Sequence, residues 1–121
     1  MSPSSPKNAV LDDQELLEGL SSINPRFGDF CSRVAGEAWG MPLIDQATKA
    51  LIAIAIDVTI QNMQQESSAF NAHVSMARKQ GITWEQLEEL ILFCAVYAGF
   101  NKSASVFGKL KDLKNQESTN I

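Results

Sequence analysis

The sequence predicts an all-α protein of five to six helices, and three observations support this fold class. Apolar residues recur at the three- and four-residue spacing of a helical face along most of the chain. Capping residues, prolines and glycines bound these stretches, and no stretch alternates as a half-buried strand does. From Ala50 to Ile60 only Asp57 and Thr59 interrupt the apolar residues, and such an uninterrupted run favours a buried helix.

Composition limits the architecture and the partners. A chain of 121 residues with 45% hydrophobic and 20% charged residues supports one globular domain with a modest core. The net charge of -4 and the scattered Lys and Arg residues provide no basic stripe, so we expect no nucleic-acid partner. The run from Ala50 to Ile60 is too short to cross a bilayer, so we expect no membrane partner.

The two ends of the chain are polar and differ from the middle. Residues 1–11 are rich in Ser, Pro and Asn and lack an apolar signal core, so we expect a disordered leader and a cytoplasmic protein. Residues 12–114 are predicted to form a single helical domain. Residues 115–121 are predicted to be a polar tail.

The first half of the chain contains three predicted helices. Asp12 or Asp13 caps a short first helix, and Asn24 followed by Pro25 begins a second. Asp45 begins the buried third helix. The apolar stripe of the second helix consists of Phe27, Phe30, Cys31, Val34 and Ala38.

The next segment carries the chain's one histidine. Residues 61–68, from Gln61 to Ser68, show no periodicity and read as a loop or as frayed helix ends. His73 then shares a helical face with Phe70 and Ala77, so we expect it to face the buried helix. Gly81 is a predicted left-handed helix end.

Two helices complete the chain. Thr83 and Gln86 match a capping box at the start of the fifth helix. From Phe93 to Ala98 this helix has no polar face, and a small domain has few elements to cover it. We therefore expect a subunit interface there, followed by a last amphipathic helix through Val106.

Several separated patches of sequence resemble the carboxymuconolactone decarboxylase family. They are GEAWG at Gly36 to Gly40, the buried helix, HVSMARKQGITWEQLEELIL from His73, and YAGF at Tyr97 to Phe100. The resemblance covers roughly residues 24–112. It implies an all-helical, alkylhydroperoxidase D-like subunit, a homo-oligomer that is commonly trimeric or hexameric, active sites near subunit contacts and a small-molecule substrate.

The family has two well-known branches, and the residues favour one of them. The alkylhydroperoxidase D-like branch performs thiol redox chemistry through Cys-x-x-Cys-x-x-x-His, but Glu66 and Ala69 stand where its cysteines would be. Cys31 and Cys94 lie far apart in sequence, and nothing in the sequence brings them together. The other branch removes carbon dioxide from a carboxylated unsaturated lactone. Its reaction needs no cofactor, because the conjugated carbonyl of the substrate accepts the electrons.

The resemblance implies roles for individual residues. Such a site needs a general acid and a donor for the developing oxyanion. The resemblance assigns the acid to His73, and Glu37 would orient the histidine or bind substrate. Lys49 falls where decarboxylases tend to have arginine and would hold a substrate carboxylate. The other substrate-binding candidates are Trp39, Met41, Phe70 and Tyr97, of which Trp39 and Tyr97 read more readily as packing residues. No ligand spacing predicts a metal.

Departures from the family pattern leave alternatives open. Met41 and Gln46 stand near positions where the decarboxylases are richer in arginine, and the segment from Lys49 to His73 is about one helical turn longer. A larger and less charged substrate would suit these changes. The alternatives are an isomerase, dehydratase or cyclase of a less charged metabolite, or a non-catalytic oligomeric binding protein. Whether Glu66 and the neighbouring linker line the pocket stays open.

Overall fold

Six helices make up the described part of the chain. A computed structural model describes residues 5–61 and 69–119. Its helices are α1 (Gln14–Ile23), α2 (Pro25–Trp39), α3 (Gln46–Ile60), α4 (Ala69–Lys79), α5 (Trp84–Ala98) and α6 (Phe100–Thr119). Residues 5–61 and 69–119 contain no strand. The all-α prediction is therefore confirmed. Of the predicted loop from Gln61 to Ser68, residues 62–68, with Glu66, lie outside the described residues.

The predicted helix boundaries are formed by the side chains that the sequence indicated. The side chains of Asp13, Asn24 and Asp45 accept hydrogen bonds from backbone N–H groups at the starts of α1, α2 and α3. Both hydrogen bonds of the capping box at Thr83 are present. Gly81 has a φ of 88°, in the left-handed region that favours glycine.

Helix α3 lies at the centre of the main core. It packs against α4, α5 and α6, and its Ala50, Ile54 and Val58 are fully buried. The core comprises these three residues together with Phe70, Val74, Ala77, Ile82, Leu87, Ile91, Cys94, Val106 and Leu110. The most apolar helix of the sequence thus organises the packing of the other helices.

Helix α3 is nevertheless buried on one face only. Ile52, Ile56 and Ile60 are each about half exposed on its outer face. The single chain has too few helices to surround α3, so the predicted burial of this helix holds for its inner face and not for its outer face. The outer face leaves apolar surface for a further partner to cover.

Residues 5–13, here called the N-terminal strap, pack against the helices. Ala9 and Val10 are buried in a small cluster with Met76 of α4. The Asn8 amide donates to the carbonyl of Gly36 at 3.0 Å, and the Ala9 N–H donates to Gln46 Oε1 at 2.7 Å. The expectation of a disordered leader is therefore wrong for residues 5–11. Two apolar residues and two long-range hydrogen bonds hold this stretch against the helices.

The C-terminal helix is longer than the sequence indicated. Residues 115–119, expected to be a polar tail, continue α6 as far as Thr119. Glu117 connects this segment to other helices, because it bonds to Arg78 and Trp84. None of the six helices is long and apolar enough to span a membrane.

Candidate acid–base site

Helices α3 and α4 bring a carboxylate and an imidazole together. His73 Nδ1 lies 2.5 Å from Asp57 Oδ2. The Asp57 side chain is 4% exposed, whereas that of His73 is 27% exposed. The carboxylate of the pair is therefore buried, and the imidazole reaches the surface of the protein.

The packing of the two helices explains why these side chains meet. Asp57 follows Ile54 on the inner face of α3 and precedes Val58, both of which are fully buried. Phe70 and Ala77 fix α4 against that face from positions one turn before and one turn after His73. A carboxylate buried in this way requires a hydrogen-bonding partner, and His73 supplies it.

The hydrogen bond defines the chemical character of the imidazole. Because Nδ1 faces the carboxylate, the nitrogen left for other partners is Nε2. Among the described residues, no hydrogen bond to Nε2 is formed. The arrangement presents one ring nitrogen for proton exchange and holds the other with an acceptor.

Asp57 was not identified from the sequence as the partner of His73. It appeared only as an interruption of an apolar helix. Asp is almost never fully buried without a partner, so a lone carboxylate in the most apolar helix was itself a signal. The lone histidine on the neighbouring helix was the available partner.

Glu37 was the predicted partner of His73, and the structure does not bring the two together. Glu37 is exposed near the end of α2. Among the described residues it forms no hydrogen bond or ion pair with His73, whose carboxylate partner is Asp57. A contact of Glu37 with substrate remains a prediction.

Lys49 is engaged within the subunit. Its ammonium donates to the carbonyls of Ala38, Trp39 and Met41 at 3.2, 2.9 and 2.6 Å. These are carbonyls at the end of α2 and just beyond it, where a cation is favoured by the helix dipole. All three ammonium protons are thus directed at the backbone, and Lys49 caps the C-terminal end of α2. Its predicted contact with a substrate carboxylate stays untested.

The remaining predicted substrate-binding residues are dispersed. Trp39 is half-buried and packs against both hydrophobic clusters, whereas Met41 is exposed in the segment between α2 and α3. Phe70 is 0% exposed and offers no surface to a substrate. Tyr97 is 79% exposed and its ring lies 5.4 Å from that of Phe93.

Tyr97 borders an apolar groove between α3 and α5. The groove has a volume of about 370 Å³. Its lining includes Leu51, Ile52, Ala55, Phe93 and Cys94, and does not include His73. The predicted site residues therefore occupy at least two separate places on the single subunit.

The cysteines lack the features of a redox centre. Cys31 and Cys94 are both free thiols. Burial raises the pKa of the Cys94 thiol, which disfavours the reactive thiolate. Within the described ranges, 5–61 and 69–119, no three His, Cys, Asp or Glu side chains cluster as metal ligands.

Fold and site together define a class of protein: a small protein, all-α in its described residues, whose one histidine pairs with a buried carboxylate of the central helix. Residues 25–112 match the model of the carboxymuconolactone decarboxylase family. The chain belongs to that family, as the sequence patches predicted.

One named relative makes the similarity more specific. Over 88 residues the chain is 34% identical to 4-carboxymuconolactone decarboxylase of Acinetobacter baylyi. The match covers 72% of this chain and 63% of the relative. The chain thus spans less than two thirds of the length of that relative. No solved structure matches the chain.

Proposed function

We propose that this chain is a cofactor-independent acid–base enzyme, a lyase that acts on a small cyclic or unsaturated metabolite. The observation that carries the proposal is the pairing of the partly exposed His73 with the buried Asp57. Membership of the decarboxylase family and the similarity to 4-carboxymuconolactone decarboxylase support it. A cytoplasmic location and the absence of a cofactor stay predictions from the sequence.

The proposed reaction is the loss of carbon dioxide from a carboxylated unsaturated lactone. The bond between the ring carbon and the carboxylate breaks, and its electron pair moves into the conjugated carbonyl of the ring. The imidazolium of His73 then gives its Nε2 proton to carbon, and water returns a proton to the imidazole. One proton is consumed and one carbon dioxide is released for each substrate, with no change of oxidation state in the protein.

Exposed apolar surface supports a homo-oligomer. Phe27, Phe30 and Val34 of α2 are each about half exposed, and so are several residues of α3 and α5. Such an extent of apolar surface usually marks an interface in a stable protein. We propose a trimer or hexamer, as the family resemblance implies. A neighbouring subunit would supply groups that the single chain does not place beside His73.

Turnover of 4-carboxymuconolactone tests the proposal directly. The protein, dialysed against a chelator and without added cofactor, is incubated with this lactone and the carbon dioxide released is measured. We expect release that is proportional to protein concentration. If the lactone is unchanged while the protein is folded, decarboxylation of this substrate is ruled out for the chain.

A further inference from the structure

We propose that Asp57 is the positioning residue that holds the His73 imidazole in one tautomer, with the proton on Nδ1 and the lone pair on Nε2. This inference rests on the proposed function, because a fixed tautomer matters only if His73 transfers protons. It gives a role to Asp57, which does not belong to the sequence motif that suggested Glu37 as the partner of His73.

Among the described residues, the side chain of Asp57 has one hydrogen-bonding partner, the imidazole of His73. Its carboxylate is 4% exposed and its Oδ2 lies 2.5 Å from His73 Nδ1. Within the described part of the chain no other side chain bonds to this carboxylate. The ammonium of Lys102, on α6, donates instead to the carbonyl of Thr59 near the end of α3, at 2.7 Å. Among the described side chains, Asp57 therefore bonds to the imidazole alone.

An ionised carboxylate accepts hydrogen bonds and cannot donate one. In the neutral imidazole it therefore favours a proton on Nδ1 and leaves the lone pair on Nε2. In the imidazolium it keeps the Nδ1 proton, and the proton on Nε2 is the one free to leave. Proton exchange with a bound molecule is directed to Nε2 in both states, and the ring cannot turn without losing its bond to Asp57.

The ¹⁵N NMR spectrum of the imidazole nitrogens reports this tautomer and requires no substrate. The chain contains one histidine, so labelling histidine with ¹⁵N gives the signals of His73 alone. In the neutral imidazole we expect Nδ1 to show the shift of a protonated nitrogen and Nε2 that of an unprotonated one. The opposite assignment in the parent protein would overturn the proposal.

Two variants of Asp57 separate positioning from folding. Asp57→Asn keeps the size of the side chain, but its amide can donate to Nδ1 as well as accept. Asp57→Leu removes the acceptor. We expect both to move the proton wholly or partly to Nε2, whereas Asp29→Asn, which changes an exposed carboxylate on α2, leaves the spectrum unchanged. An unchanged tautomer in a folded Asp57 variant would overturn the proposal, and if neither variant folds the parent spectrum decides.

A double-mutant cycle on 4-carboxymuconolactone turnover connects the tautomer to chemistry. We expect Asp57→Asn to lower kcat with little change in KM, by no more than the about 10²–10⁴-fold loss typical of a general acid–base residue. In a His73→Gln background the same change should cost no further activity. An additional loss in that background would mean that Asp57 does not act through His73. Full activity of His73→Gln would overturn the proposed function and leave the tautomer assignment standing.

Discussion

Glu117, near the end of α6, accepts two hydrogen bonds from the guanidinium of Arg78 on α4. Arg78 Nε lies 3.1 Å from Oε1, and Nη2 lies 2.8 Å from Oε2. Trp84 of α5 joins them, because its indole N–H donates to Oε2 at 2.8 Å and its ring stacks 4.8 Å from the guanidinium carbon. One carboxylate thus connects three helices.

Glu117→Gln tests this connection through its pH dependence. The hydrogen bonds from Arg78, and less strongly that from Trp84, lower the pKa of the Glu117 carboxyl. Its stabilisation is therefore present above the unfolded pKa of about 4.3 and is lost as the pH falls through the lower folded pKa. At neutral pH we expect the free energy of unfolding of the variant to be about 0.5–1 kcal/mol lower than that of the parent. The difference is small because the pair is partly exposed.

Chemical denaturation at several pH values measures this difference. The gap between parent and Glu117→Gln should be constant near neutrality and should close under acid conditions. Glu89→Gln, at an exposed position of α5, is the matched control and should show no such gap. A gap that widens towards acid pH would contradict the assignment.

The helices were predictable from sequence because local signals define them. Asn24 with Pro25, Asp45, and Thr83 with Gln86 are caps that act within one turn, so their effect is independent of the rest of the fold. Long-range partners are not encoded in this way. Glu117 lies in a polar stretch that resembles a solvated tail, and only the arrangement of three helices shows that it is held.

The candidate site was predictable in part for the same reason. His73 stood out as a lone histidine on an apolar helical face, and its inward direction follows from helical periodicity. Which carboxylate it meets depends on the packing of α3 against α4, which periodicity does not define. The sequence motif suggested Glu37, whereas the packing of α3 against α4 places Asp57 beside His73.

Gly28→Ala tests the close approach of α1 and α2. A Cβ at Gly28 would lie 2.7 Å from the Ser21 backbone and 2.8 Å from that of Leu20, and backbone atoms cannot move aside cheaply. We expect a loss of about 1–3 kcal/mol in the free energy of unfolding, as for other overpacked sites. Gly19→Ala, in α1 with open space around it, is the control and should be neutral or stabilising. Equal effects of the two changes would contradict the tight contact.

Val34→Asp tests whether the exposed face of α2 is a subunit interface. Val34 is about half exposed in the single chain, so the new charge is tolerated in a monomer and disfavoured in an apolar contact. Sedimentation should show a closed oligomer for the parent and smaller species for the variant. Asn115→Asp adds the same charge at an exposed position of α6 and should leave the oligomer intact. A parent protein that sediments as a 13.2 kDa monomer would refute the proposed assembly.

Lys49→Met separates the capping role of Lys49 from its predicted contact with substrate. Removal of the ammonium leaves the carbonyl of Met41 without its donor, and leaves the carbonyl of Trp39 with the Gln46 amide as its remaining donor. We expect a loss of about 1–2 kcal/mol in the free energy of unfolding, measured by denaturation, because such hydrogen bonds involve a charged group. If Lys49 instead holds a substrate carboxylate, KM for 4-carboxymuconolactone will rise while stability is unchanged.

His73→Gln is the decisive test of the candidate site. The amide keeps a polar side chain beside Asp57 but transfers no proton at neutral pH. We expect kcat on 4-carboxymuconolactone to fall by about 10²–10⁴-fold, the usual contribution of a general acid or base. The oligomer should persist, because His73 is partly exposed and the core contacts of α4 are made by Phe70, Val74 and Ala77. Turnover, sedimentation and thermal melting are measured on the same preparation.

Thermal melting decides how a loss of activity is interpreted. Asp57 is buried and His73 is its partner, so His73→Gln also lowers stability if the amide bonds poorly to the carboxylate. Kinetic measurements well below the melting temperature of the variant separate that effect from chemistry. Cys31→Ala combined with Cys94→Ala serves as the control for thiol chemistry and should retain turnover. A folded His73→Gln protein that works at the parental rate would make His73 a packing residue and would move the site elsewhere on the molecule.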